Sequence, residues 1–182
     1  MQTQNETGSI AEGKRYAIWL LPDDSAAARF ADLIDHLSER YGGPRFSPHV
    51  TLLGRVTGPE DVLAETTQRL AEQLRALTLR PQGLAGEAYY FRCFYVKLEK
   101  SEQLSQAHEH ASSSFNSTYA TEYMPHLSLV YGHLPRTEKT KLRSEIEGKS
   151  PSDFIADRLQ LIHIAVSVPD WRVVTTCSLK GS

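Results

Sequence analysis

Apolar and polar positions follow two periods along this chain, one near two residues and one near 3.6, and their alternation sketches the elements. From Arg15 to Leu21 the run Arg-Tyr-Ala-Ile-Trp-Leu-Leu is apolar and aromatic, and Pro22 stops it, which predicts a buried strand. Phe30, Leu33, Ile34 and Leu37 then recur at helical spacing, behind a cap at Asp24 or Ser25 and ahead of Gly42, Gly43 and Pro44. His49 to Leu53 is a strand ending at Gly54. A second helix starts near Pro59, with Glu60 and Asp61 in the turn where negative charge suits the helix dipole, and runs to about Leu77 with Leu63, Leu70 and Leu74 as its stripe. Thr78 to Leu84 and Ala88 to Leu98 are expected strands, and Ser101 opens a third helix that frays near Asn116. His126 to Tyr131 repeats the strand pattern, Thr137 to Ile146 is a weaker helix, and Leu159 to Val168 and Trp171 to Leu179 close the chain around a turn at Pro169 and Asp170. Strands and helices alternate early and an antiparallel hairpin ends the chain, which predicts an α+β fold rather than a doubly wound parallel sheet.

One pattern occurs twice. Pro48-His49-Val50-Thr51-Leu52-Leu53 and Pro125-His126-Leu127-Ser128-Leu129-Val130 both read proline, histidine, apolar, hydroxyl, leucine, apolar. Side chains alternate across a strand, so His49 shares a face with Thr51, and His126 with Ser128, while Val50 and Leu52 point to the core. The echo predicts two similar lobes related by an approximate two-fold axis, each giving one imidazole to a shared cleft.

Opening a cyclic phosphodiester requires a water to lose a proton and a departing alkoxide to gain one. Imidazole titrates near neutral pH, so one neutral ring serves as base and one protonated ring as acid, each step typically contributing about 10² to 10⁴ in rate. Thr51 and Ser128 would donate to the non-bridging oxygens, where charge builds in the transition state. The arrangement calls for no cofactor and no metal.

With these motifs in hand, the sequence resembles the two-histidine phosphoesterase superfamily, and within it the cyclic phosphodiesterases of the plant and fungal type, whose signature is His-x-Thr/Ser-x-apolar, twice. Tyr90-Phe91-Arg92-Cys93-Phe94 is similar to that family's aromatic strand, and Tyr123 to Leu129, followed by Tyr131, to its second motif with flanks. The resemblance implies a bilobal α+β fold, two pseudo-symmetric lobes of antiparallel sheet with outer helices around a central cleft. It also implies hydrolysis of ADP-ribose 1″,2″-cyclic phosphate to ADP-ribose 1″-phosphate, or of nucleoside 2′,3′-cyclic phosphates to 2′-phosphates. By the same similarity, Phe91 lines the cleft as an apolar wall and Tyr131 offers a hydroxyl to phosphate or ribose. His126 is expected as base and His49 as acid. The alternatives are an RNA-end or 2′,5′-linked oligonucleotide phosphodiesterase, and a non-catalytic nucleotide-binding module.

Composition narrows the partners. The 182 residues fit one domain, here expected as 14–182 behind a flexible tail at 1–13 that lacks the apolar stretch of a signal peptide. A formal net charge of −2 supplies no broad basic field, so a small nucleotide is expected, with no long nucleic acid and no membrane, on a cytoplasmic monomer. Cys93 and Cys177 have no metal or disulfide spacing. Of the other histidines, His36 is expected at the surface, His133 in a turn and His163 packed. His108 and His110 stand two apart on a helix and cannot make a zinc pair. Ser112 to Ser114 lack the glycines of a nucleophile elbow and are expected as a loop. Trp171 is expected to pack rather than to touch substrate.

Overall fold

In the computed structural model, residues 14–117, 122–147 and 152–181 are described; the expected tail, Met1 to Gly13, lies outside them. Strand β1 (Arg15–Pro22) is apolar at successive positions because it is covered on both faces. Tyr16, Ile18 and Leu20 enter the main core, while Ala17 and Trp19 pack with Ile162, Leu21, Ile164 and Trp171 on the other side. Helix α1 (Asp24–Tyr41) follows, buried along Phe30, Ile34 and Leu37. Its N-cap is Asp23, one residue before the expected position, whose carboxylate accepts from the Ala26 amide at 3.0 Å and also from Ile155 of a distant strand. It ends at Gly42, whose left-handed φ of 68° closes the last turn.

The remaining elements are β2 (Val50–Val56), α2 (Glu60–Gln73), β3 (Leu77–Leu79), β4 (Pro81–Ala85), β5 (Phe94–Leu98), α3 (Glu102–Ser114), β6 (His126–Val130), α4 (Arg136–Ile146), β7 (Phe154–Ile164) and β8 (Arg172–Ser178). β7 starts at Phe154 rather than Leu159 and stops at Ile164, α2 ends at Gln73 rather than near Leu77, and three further stretches differ in kind from the sequence expectation. Thr78 to Leu84 is two strands, because Arg80 is where the chain leaves β7 for β5, its carbonyl accepting from the Glu99 amide. The strand expected from Ala88 starts only at Phe94, since Tyr90–Arg92 is a turn of 3₁₀ helix. Ser112 to Ser114, expected as a loop, form the last turn of α3.

The strands pair antiparallel in the order β3-β7-β1-β2-β6-β5-β4, with β8 also on β7. The two ends of this path, β3 and β4, are one residue apart in sequence, so the sheet nearly closes on itself. It divides into two lobes, β3-β7-β1-β2 with β8 and β6-β5-β4, whose motif strands share one registered pair, Val50 with Leu127. Helices exchange across that seam: α1, which precedes β2, packs on β6, and α3, which precedes β6, packs on β2.

The pseudo-symmetry extends to a defect in each motif strand. Ile18 and Trp19 of β1 face Leu53 and Thr51 of β2, so Leu52 is an extra, bulged residue. Phe94 and Tyr95 of β5 face Val130 and Ser128 of β6, so Leu129 is the bulged residue there. Each bulge falls three residues after its histidine. Leu52 and Leu53 are therefore both buried, although a regular strand would turn one outward.

Where α1 meets the loop after β6, a Cβ built on Gly43 would lie 2.7 Å from the Tyr131 carbonyl oxygen. Gly43→Ala is expected to cost roughly 1 to 3 kcal/mol of overpacking, read as a lower urea midpoint with unchanged slope.

Candidate active site

The antiparallel register through Val50 and Leu127 sets His49 across from Ser128 and Thr51 across from His126, all four on one face. That face lines an open cavity of about 580 Å³. His49, Thr51, His126, Ser128, Phe91 and Tyr131 all stand on its wall, so the structure brings every residue singled out in the sequence to one place.

Both imidazoles are held alike. His49 Nδ1 lies 2.7 Å from the Ser47 carbonyl, and His126 Nδ1 lies 2.9 Å from that of Met124, in each case two residues upstream. A carbonyl only accepts, so Nδ1 carries the proton in both rings and Nε2 keeps its lone pair when the ring is neutral. The Tyr131 hydroxyl meets that lone pair of His49 at 3.3 Å. Ser128 is engaged as well, donating its hydroxyl to the Phe91 carbonyl at 2.9 Å.

The two rings differ in their surroundings. His49 is 6% exposed and stacks on Trp19, with centroids 3.5 Å apart and planes at 9°. Burial pushes it from 6.5 down to about 4, with the Ser47 carbonyl opposing and the charge of His126 adding. His126 is half-buried, with the edge of Tyr95 5.1 Å away. Burial also lowers it, the Met124 carbonyl and Glu87 raising and Arg92 lowering. Both shifts favour the neutral ring. Tyr131 is buried against Phe46, centroids 3.8 Å apart, and desolvation raises its hydroxyl well above the ordinary tyrosine range.

Sequence reasoning missed parts of the wall. Trp171, expected as packing, lines the cavity while its Nε1 donates to the Ala165 carbonyl, and it lies 5.7 Å from both Trp19 and Phe91. Trp19 sat inside a run that read only as core, but its register opposite Thr51 turns it toward the motif face. Arg15, Arg55 and Arg92 stand at the mouth. Arg92 pairs with Glu87 at 2.8 Å, and Arg55 holds a left-handed φ of 56°, a strained conformation for a residue other than glycine. No short-range pattern could have found Arg15 and Arg55, which reach the rim through the pairing of β1 with β2.

Among the described residues, no group of three or more His, Cys, Asp or Glu side chains gathers to hold a metal ion, and no helix is long and apolar enough to cross a membrane. Both cysteines are free thiols, Cys93 buried and accepting from the Leu134 amide.

Known proteins match the chain in three ways, by family model, by sequence and by structure. The model of the 2′-5′ RNA ligase superfamily matches residues 21–167. Among characterised relatives, a "Cyclic phosphodiesterase" of Arabidopsis thaliana is 30% identical over 175 residues, spanning 91% of this chain and 95% of the relative. A "2′,3′-cyclic-nucleotide 3′-phosphodiesterase" of Phaeosphaeria nodorum is 29% identical over 149 residues, 72% of this chain and 75% of its own. Among solved structures, TT0787 of Thermus thermophilus superposes with a TM-score of 0.62 at 16% identity, covering 92% of this chain and 99% of its own. E. coli LigT complexed with 3′-AMP gives 0.56 at 15%, with the same coverage. These last two establish the fold.

A histidine held neutral by burial ties stability to pH. The unfolded ring takes a proton near 6.5 and the folded one only near 4, so His49 leaves stability intact above 6.5 and withdraws it as pH falls toward 4. The full loss is on the order of 3 kcal/mol. His49→Phe is expected to flatten that stretch of the stability curve, measured by urea unfolding from pH 7 to pH 4.

Proposed function

The chain belongs to the 2′-5′ RNA ligase superfamily, and from that premise we propose that its His49–His126 cleft hydrolyses cyclic phosphodiesters on small nucleotides. The observation that carries this is the matched pair of imidazoles lining one cavity, each with Nδ1 tied to a carbonyl two residues back so that Nε2 is the nitrogen available for chemistry, that of His49 being shared with the Tyr131 hydroxyl. The names of the plant and fungal relatives support the same reaction.

In the proposed reaction the His126 Nε2 takes a proton from a water as its oxygen bonds to phosphorus. The opposite ring P–O bond breaks, and the His49 Nε2 returns a proton to the departing ribose oxygen. Thr51 donates to the non-bridging oxygens. Ser128 joins it by turning its hydroxyl from the Phe91 carbonyl. For His49 to be the acid it must be protonated in the complex, although alone it titrates near 4. Two features favour that change: the negative phosphate beside it, and the face of Trp19, since a cation over an indole gains about 0.5 to 2 kcal/mol.

A cyclic phosphate alone does not fill about 580 Å³. Phe91 and Trp171 offer ring faces to a base, and Arg15 and Arg55 offer charge to further phosphates at the mouth. This favours a dinucleotide-like substrate such as ADP-ribose 1″,2″-cyclic phosphate, opened to the 1″-phosphate, with nucleoside 2′,3′-cyclic phosphates opened to 2′-phosphates.

Three outcomes are expected. His49→Ala and His126→Ala each lower kcat by about 10² to 10⁴ while the chain stays folded by circular dichroism, in a turnover assay on adenosine 2′,3′-cyclic phosphate. Nitrogen NMR of the imidazoles with a bound nucleoside 2′-phosphate shows His49 titrating above neutrality; a value still near 4 would exchange the two roles. Phosphorus NMR shows ADP-ribose 1″,2″-cyclic phosphate consumed with the higher kcat/KM, and the Arg15→Ala, Arg55→Ala double variant loses that preference.

A further inference from the structure

Leu52 is the extra residue of the β2 bulge, and a buried carbonyl at such a point is costly without a partner. It is met by a side chain from across the seam. His108, on the face of α3 that packs over β2, lies with Nδ1 2.7 Å from the Leu52 carbonyl oxygen. Because that oxygen can only accept, His108 donates through Nδ1. Its ring also lies flat on Tyr123, centroids 4.0 Å apart and planes at 3°. The Tyr123 hydroxyl is buried with no hydrogen-bond partner among the described residues, so what holds this ring is packing and the stack.

Both contacts adjoin catalytic groups. Leu52 follows Thr51, the proposed donor to the phosphate, and the bulge decides which way Thr51 and the residues after it face. Tyr123 precedes Met124, whose carbonyl fixes the His126 ring. The lobes share one registered pair between β2 and β6, so the relative placement of the two motifs rests on few bonds. His108 bridges them from outside, one contact in each lobe.

We propose that His108 is a positioning residue: by donating to the Leu52 carbonyl from a ring seated on Tyr123, it ties α3 to β2 and holds the Thr51 and His126 motifs in the register that places both against one phosphate, the hydrogen bond carrying the effect and the stack only orienting the ring. This rests on the hydrolytic reading above. The chemistry it performs is a fixed hydrogen bond, with no proton transferred.

Two substitutions divide its contacts. In His108→Asn the amide nitrogen falls where Nδ1 was, keeping the bond and losing the stack; in His108→Phe the stack remains and the bond is lost. With adenosine 2′,3′-cyclic phosphate, His108→Asn is expected to keep kcat within about threefold of wild type, and His108→Phe to lose tenfold or more in kcat with KM within twofold. Hydrogen exchange at the backbone amides flanking the Val50–Leu127 bridge should quicken in His108→Phe and not in His108→Asn. Equal kcat in all three proteins, or an equal loss in both variants that tracks their melting temperatures, overturns the proposal. Unchanged exchange in His108→Phe overturns it whether or not the protein turns over substrate, whereas a wild type that consumes no cyclic phosphate counts against the hydrolytic reading alone.

Discussion

Two strands that nearly fail to pair are the constraint from which the site follows. β2 and β6 meet at one registered pair, Val50 with Leu127, and around that point the chain repeats itself head to tail. An antiparallel pair relates its strands by a local two-fold axis, so identical motifs on both strands present identical groups on one face. His49 faces Ser128, Thr51 faces His126, and each imidazole lies on a diagonal from the other. A longer ladder would have sealed this seam; a single pair lets the lobes splay into a cavity.

The same seam explains how two rings of one residue type come to differ. The lobes are symmetric in backbone, down to a bulge three residues after each histidine, but not in the side chains they bring to it. β1 lies against β2 and lays Trp19 flat on His49, whereas β5 lies against β6 and sets the edge of Tyr95 toward His126. Burial follows the same division, with His49 the more deeply enclosed and pushed to about 4. Neighbouring strands therefore make the two rings unequal, and for His49 to serve as the proposed acid the bound phosphate and the Trp19 face must reverse the effect of burial.

Much of this was legible beforehand, for identifiable reasons. The motif pairs were readable because strand alternation is a local rule, and the rule puts His49 with Thr51 and His126 with Ser128 whatever the rest does. The α+β class and the closing hairpin were readable from periodicity. What failed was non-local. Asp23 caps α1 because it also receives Ile155 from β7, and no window around residue 23 contains that strand. Tyr90 to Arg92 read as strand because aromatics favour sheets, yet they wind into a 3₁₀ turn that carries the Phe91 carbonyl to Ser128. Trp19, Trp171 and the arginines of the mouth join the cleft through pairing register, and the spacing of His108 and His110 excludes a zinc pair but says nothing of a bulged carbonyl 56 residues away.

The central claim is that both imidazoles address one phosphorus atom. The most direct test is a crystal structure of the protein with a nucleoside 2′-phosphate bound. Nε2 of His49 and Nε2 of His126 are expected each about 2.7 to 3.2 Å from oxygens of the same phosphate, with the Thr51 hydroxyl on a third. A phosphate touched by one ring alone, or seated outside the seam between β2 and β6, contradicts it.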